Sequence, residues 1–237
     1  MSKYFICLAN SFKRVDENER NDESGRCVAG IEITYPNCNV VMNTGYGQRP
    51  NWIRPHADTP TGAIPVAYAR NFSLLDIIKI DDPVAKGEGA HSEDYSYSSI
   101  ERVGRYNGPL AILIDSVHRN SIFGSERPYM DDNFFQRFDH SLMLIRPGNV
   151  RFFFENRERN GRIVRKLRVS FCYGNNDYDL PVTDPVFQDR CYNLNDDQCT
   201  AVNDGREYYF AMSLGMGMQQ RDNRHYKLVA AVLYDGI

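Results

Sequence analysis

Long apolar runs are missing from this 237-residue chain, and none approaches the roughly 18 residues that a membrane-spanning helix needs. No membrane partner is expected. Positive charge is not in excess either: 28 Lys and Arg face 31 Asp and Glu, for a formal net charge of -3. That balance excludes coating nucleic acid by bulk charge and leaves only a local basic patch to do it. The six cysteines, Cys7, Cys27, Cys38, Cys172, Cys191 and Cys199, contain no C-x-x-C pair and no zinc-finger spacing. Free thiols are expected, and no structural zinc. A phosphate-binding glycine loop is absent too, because "LGMGMQQ" lacks a following Lys-Ser/Thr and a βαβ setting. No cofactor is expected. "MSKYFICLAN" has no extended hydrophobic region or cleavage site, so the mature chain is expected to begin at Met1 and to be cytoplasmic.

What the chain does have is aromatic and β-branched residues in short runs, with 15 Tyr and 13 Phe, a composition that favours strands. "YFICLAN" reads as a first strand, with Phe5, Cys7 and Ala9 on one face and Ile6 and Leu8 on the other. A charged segment, Arg14 to Ser24, follows as a loop, and strands resume at "RCVAGIEI", "NWIRP" and "FSLLDIIKI". "LAILID" is also compatible with a strand. From about Asp139, "HSLMLIRPGNVRFFFEN" reads as a strand, a Pro-Gly turn and a return strand. "RKLRVSFCY" alternates cleanly, with Leu167, Val169, Phe171 and Tyr173 on the buried side. "TDPVFQDRCYNL" is the best helix, capped by Thr183 or Asp184 with Pro185 in its first turn. Two final strands are expected at "EYYFAMSLG" and "YKLVAAVLYD". Each half thus carries about five strands, which suits two tandem OB-type barrels divided near residue 138, residues 1–138 and 139–237. A single β-sandwich fits the pattern nearly as well.

Several residues could carry chemistry, each with a plainer reading beside it. Trp52 and Arg54 share a strand face and could stack on a base and reach a phosphate; equally, Trp52 could cap a core and Arg54 form an ion pair. Arg26 and Cys27 lie between Gly25 and Gly30, where a ligand could approach the backbone or a barrel corner could bend. Cys27 could act as a nucleophile only with a base such as His56 or His91 beside it. His91, Glu93 and Asp94 could bind a cation, although "HSEDYSYSS" also reads as a solvated loop. Asp177, Asp179 and Asp184 are explained by a turn and a helix cap. Asn10 and Ser11 read as a turn. The one basic run, "RERNGRIVRKLR", reads as a hairpin turning at Asn160-Gly161, able to follow a phosphate backbone or to protect an edge from aggregation.

The segments "ICLANS", "GRCVAG", "WIRP" and "LLDII", followed by "RVSFCYGNNDYDLPVTDP", "SLG" and "KLVAAVL", resemble in their order the bacterial dual OB-fold domain family. The resemblance implies two OB-folds, a non-enzymatic nucleic-acid or nucleotide-binding module, and a setting in bacterial anti-phage or mobile-element conflict systems. It supplies no catalytic residues. The acidic segment Arg14 to Ser24 departs from it as an insertion. Joined with the basic run, it implies a first barrel face lined by Arg26, Trp52 and Arg54, and phosphate contacts from Arg162, Arg165 and Arg168. A single-stranded nucleic acid or nucleotide is the expected partner. Docking of a protein partner remains the alternative, and a Cys27- or His91-dependent enzyme a further one.

Overall fold

The computed structural model describes residues 1–12, 25–43, 49–87, 89–115, 120–135, 137–159, 161–192, 206–215 and 224–234, apart from the side chains of Arg159 and Arg162. The segment Arg14 to Ser24, Asn160 and most of "LGMGMQQ" lie outside them.

The first half comprises β1 (Ser2–Phe12), β2 (Arg26–Thr34), β3 (Asn39–Val40), β4 (Met42–Asn43), β5 (Arg49–Pro50), β6 (Trp52–His56), the short helix α1 (Val66–Ala69), β7 (Asp76–Asp81), β8 (Val84–Ala85), β9 (Asp94–Ser96) and β10 (Ser99–Arg105). β1 pairs antiparallel with β2 and β7, β2 with β6, and β7 with β10. Closure comes from the last stretch. β9 lies parallel to β6, and after Tyr97 and Ser98 the same chain becomes β10 beside β7. Counting that stretch as one strand gives a five-stranded ring, which removes the exposed edges that an open sheet would leave.

The second half repeats this plan with β11 (Tyr129–Asp131), α2 (Asp132–Phe135), β12 (Leu142–Ile145), β13 (Gly148–Arg159), β14 (Arg162–Tyr173), β15 (Asn176–Pro181), α3 (Pro185–Tyr192), β16 (Tyr208–Leu214) and β17 (Arg224–Tyr234). β12 pairs with β16, β16 with β17, β13 with β14, and β14 with β15. A parallel bridge between Val182 and Val229 joins the end of β15 to β17. The expected Pro-Gly hairpin is absent here. At Pro147-Gly148 the chain bends instead of reversing, so β12 and β13 act as one strand shared between two partners and the ring closes. β11, before residue 138 in sequence, pairs with β17.

β1 shows how the two barrels are joined. Phe5 and Cys7 point into the first barrel with Val28, Ile53, Ile78 and Ile80. Ile6 and Leu8 point outward, yet they are equally buried, in a seam with Ile31, Trp52 and Ile77 and with Leu142, Leu144, Tyr209 and Leu233 of the second barrel. The expected alternation fails at Ala9, because a register shift between Cys7 and Ala9 turns Ala9 to the seam side. Opposite that shift, Gly30 lets β2 cross β1 closely, since a Cβ there would lie 1.8 Å from the Ile6 carbonyl oxygen. The two barrels therefore share one buried seam, which separating them would expose on both sides.

Other expectations are refined. Leu110–Leu113 is a 3-10 turn that drops Leu110 and Leu113 into the seam, not a strand. "FSLLDIIKI" becomes a strand only from Asp76. β1 continues through Asn10 and Ser11, and the Asn10 amide donates to the carbonyls of Ala69 (2.8 Å) and Phe72 (2.7 Å). The helix forms as expected: the Phe187 N–H donates to Asp184 Oδ1 at 3.0 Å, capping α3, and the Val232 N–H donates to its second oxygen at 3.1 Å. Burial raises the Asp184 pKa to about 6, with these N–H donors offsetting part of the rise.

Candidate nucleic-acid interface

The first barrel does not offer its strand face to solvent. Trp52 is 1% exposed and sits in the seam. Arg54, two residues on, reaches the same neighbour, donating to Ser141 Oγ of the second barrel at 3.2 Å. Its Nε pairs with Asp94, its Nη2 with His91 Nδ1, and Asp94 also meets His56 at 3.1 Å. Glu93 accepts from the Ser141 backbone N–H at 2.9 Å. Burial opposes the charge on Arg54, but Glu93 and Asp94 outweigh it and raise its pKa. Burial likewise opposes ionisation of Asp94, yet His56 and Arg54 hold its pKa at about 2. For Glu93 burial wins and its pKa rises. The His91–Glu93–Asp94 segment thus forms a buried ion-pair network that ties the barrels together, and among the described residues no group of three potential ligands is placed to hold a metal. Arg26 is half-buried on β2, its guanidinium 4.1 Å from the Phe12 ring centroid, and Cys27 faces Ser11 across β1.

The second barrel leaves its hairpin open. β13 and β14 pair from Gly148↔Cys172 out to Arg159↔Arg162, with Gly161 in the turn at a φ of +70°. β15 pairs with β14 only as far as Arg168↔Pro181, so among the described residues the outer half of β14 has no strand on that side. Alternation then divides the basic residues. Lys166 and Arg168 fall on the outward face, whereas Arg165 continues the inward row of Leu167 and Val169 beyond the barrel end. Arg165 lies 3.8 Å from the Phe154 ring centroid and 5.8 Å from that of Tyr192. Arg168 pairs with Asp179 at 2.8 Å and with Glu155 at 3.6 Å. Arg162 closes the hairpin tip through its backbone pairing with Arg159. Sequence reasoning placed Arg165 and Arg168 together; the strand direction puts them on two faces.

Between this free edge, α3 and the start of β17 lies a groove of about 350 Å³. Its walls carry Arg157, Arg165, Lys166, Arg168 and Lys227 against a single carboxylate, Asp179, with Tyr192 and Tyr226 also lining it. Lys227 is fully buried, and Glu155 and Asp179 pair with Arg157 and Arg168, yet the lining of this groove in a net-acidic chain is still mainly cationic.

Lys227 was not legible as a site residue, although its parity with Val229 on β17 marks it as inward-facing. It is 0% exposed, donates to the Ser125 carbonyl, and sits 5.2 Å from the Tyr178 ring centroid. Burial lowers its pKa to about 7. A lysine whose folded pKa is depressed favours folding above its unfolded pKa of 10.5, and that contribution is lost as pH falls through about 7. Lys227→Met should therefore raise the ligand-free stability by about 1–4 kcal/mol near pH 6 and by little near pH 10. Urea unfolding at both pH values checks this, and an equal effect at the two would contradict it.

The sequence pattern of the dual OB-containing domain family matches residues 3–232. The chain belongs to this family. The two closed rings described above are its two OB units. Comparison with curated proteins gave no match. Among solved structures, this dual OB chain is distantly similar to a replication protein A heterotrimer bound to ssDNA, at 9% identity and a TM-score of 0.41, covering 99% of this chain and 48% of that one. It is also similar to a murine DNA binding protein bound with ds DNA, at 8% identity and a TM-score of 0.31, covering 99% and 97% respectively. The tetrameric p202 HIN2 compares at 8% identity and a TM-score of 0.33, covering 99% and 93%.

Proposed function

We propose that this dual OB chain binds single-stranded nucleic acid through its second barrel, along the β13–β14 hairpin and the groove beneath it. The observation that carries the reading is the groove itself, lined by Arg157, Arg165, Lys166 and Arg168 with Asp179 as its one lining carboxylate and tyrosines beside them. Arginine and lysine there would meet successive phosphates, and Tyr192 and Tyr226, both partly exposed, would offer ring faces to bases. The first barrel has a structural task instead, its strand face being covered by the second. Of the residues singled out from the sequence, Arg162, Arg165 and Arg168 belong to the proposed interface, while Trp52 and Arg54 support it by holding the barrels together. The resemblance to a family of bacterial conflict systems extends the proposal to a role in such a system.

Reversing charge at Arg162, Arg165 and Arg168 together, each to Glu, should abolish oligonucleotide binding at moderate salt. Wherever binding stays measurable, the slope of log K against log salt should fall by about 2, since each lost phosphate contact on a single strand removes about 0.7. Fluorescence anisotropy on a variant with unchanged circular dichroism reads both. Unchanged affinity in the folded variant would sink the assignment of this face.

A further inference from the structure

The rim of the groove continues onto a second surface. β11 pairs with β17 at the edge of its sheet, with Tyr129 directly opposite Tyr226, Met130 opposite His225 and Asp131 opposite Arg224. Alternation sorts these pairs by face. Met130 and His225 are buried, so Tyr129, Tyr226, Asp131 and Arg224 stand together on the outer side. The two tyrosine rings lie 5.8 Å apart between centroids, edge to face, and Tyr226 is 45% exposed. The Arg224 guanidinium lies 4.3 Å from the Tyr129 ring centroid, and that of Arg127 lies 5.8 Å from it. Tyr226 and Pro128, which precedes Tyr129, also line the groove, so this face and the groove share a border.

Net charge is small on this surface. Asp131 lies 3.4 Å from Arg127 and 4.0 Å from Arg224, and Glu126, next in sequence to Arg127, is exposed. The carboxylates offset the guanidiniums, and what the face offers is ring area. A cross-strand aromatic pair also steadies an edge strand, a role that shows in stability and not in affinity.

We propose that the outer face of β11 and β17 is a base-stacking platform: a single strand leaving the groove lays its unpaired bases on Tyr226 and on the Tyr129–Arg224 stack. Every base has a π-face, so the platform takes bases without regard to sequence. A guanidinium held against one ring offers its other plane to a base. The bases of a duplex are already stacked on one another, so the platform serves single strands only.

The platform deepens the nucleic-acid reading and rests on it for its ligand, but its signature is separate. Phosphate contacts set the salt dependence, and ring contacts do not. The test compares an oligothymidylate of about 16 nucleotides, the upper end of the site size of one OB unit, with an abasic strand of the same length. Fluorescence anisotropy follows each strand with the full chain across a salt series. Tyr129→Leu should bind the oligothymidylate about tenfold more weakly than the wild type, with the salt slope and the abasic affinity unchanged. Tyr129→Phe, which keeps the ring, should bind as the wild type does. Tyr226→Leu should repeat the loss, and it carries the test if Tyr129→Leu does not fold. Wild-type affinity in folded Tyr129→Leu and Tyr226→Leu would overturn the platform and leave the groove standing. An equal loss on both strands would also overturn it, because the rings would then act on the fold and not on bases. No binding of either strand by the wild type would overturn the platform and the groove together.

Discussion

Trp52→Ala is expected to destabilise the protein by about 3–5 kcal/mol, the range for deleting a large aromatic from a packed core. Trp52 is among the largest fully buried side chains and lies where the first barrel meets Leu142 and Leu144 of the second. Removing it opens a cavity in the seam shared by both halves. Unfolding should remain a single transition at lower denaturant, because neither barrel can keep its outward rows buried alone. Far-UV circular dichroism follows this without relying on the lost indole. A variant that unfolds in two steps, with one step unmoved, would contradict the account of one cooperative body.

Arg54→Met is expected to cost a similar amount, about 3–5 kcal/mol, by a different route. The methionine preserves volume and packing. It leaves Asp94 buried with only His56 opposite and takes the cation away from Glu93. Both carboxyl groups should then hold their protons to higher pH, so the loss should be largest near neutral pH and shrink in acid. Arg54→Lys should recover little, because one ammonium cannot meet Asp94, His91 and Ser141 together. Chemical denaturation of the two variants across pH measures this. A stability equal to the wild type would show that the network adds nothing to the seam.

The strands were legible where period-2 alternation was clean. β14 is the clearest example: Leu167, Val169, Phe171 and Tyr173 are buried as their spacing requires. The cap at Asp184 was legible for the same local reason. What the sequence hid was long-range. β1 alternates like a half-buried strand, yet both of its faces are covered, and only the second barrel explains the burial of Ile6 and Leu8. Pro147-Gly148 carries the letters of a hairpin turn, but the partners of β12 and β13 lie far along the chain. The candidate site divided along the same line. Arg165 and Arg168 could be singled out because the basic run is local. Arg54 looked available because Asp94 and Ser141, its partners, are distant in sequence. Lys227 looked like an ordinary strand lysine because nothing local reveals that its side chain is fully buried and ends at the Ser125 carbonyl and the Tyr178 ring.

The central claim is that the second barrel carries a nucleic-acid interface, and the most direct test is anisotropy of a labelled single-stranded oligonucleotide with the wild-type chain across a salt series. With the four groove cations other than the fully buried Lys227 on phosphates, log K should fall against log salt with a slope of about -3. Absence of binding at low salt, or binding indifferent to salt, would contradict the account and redirect attention to a protein partner.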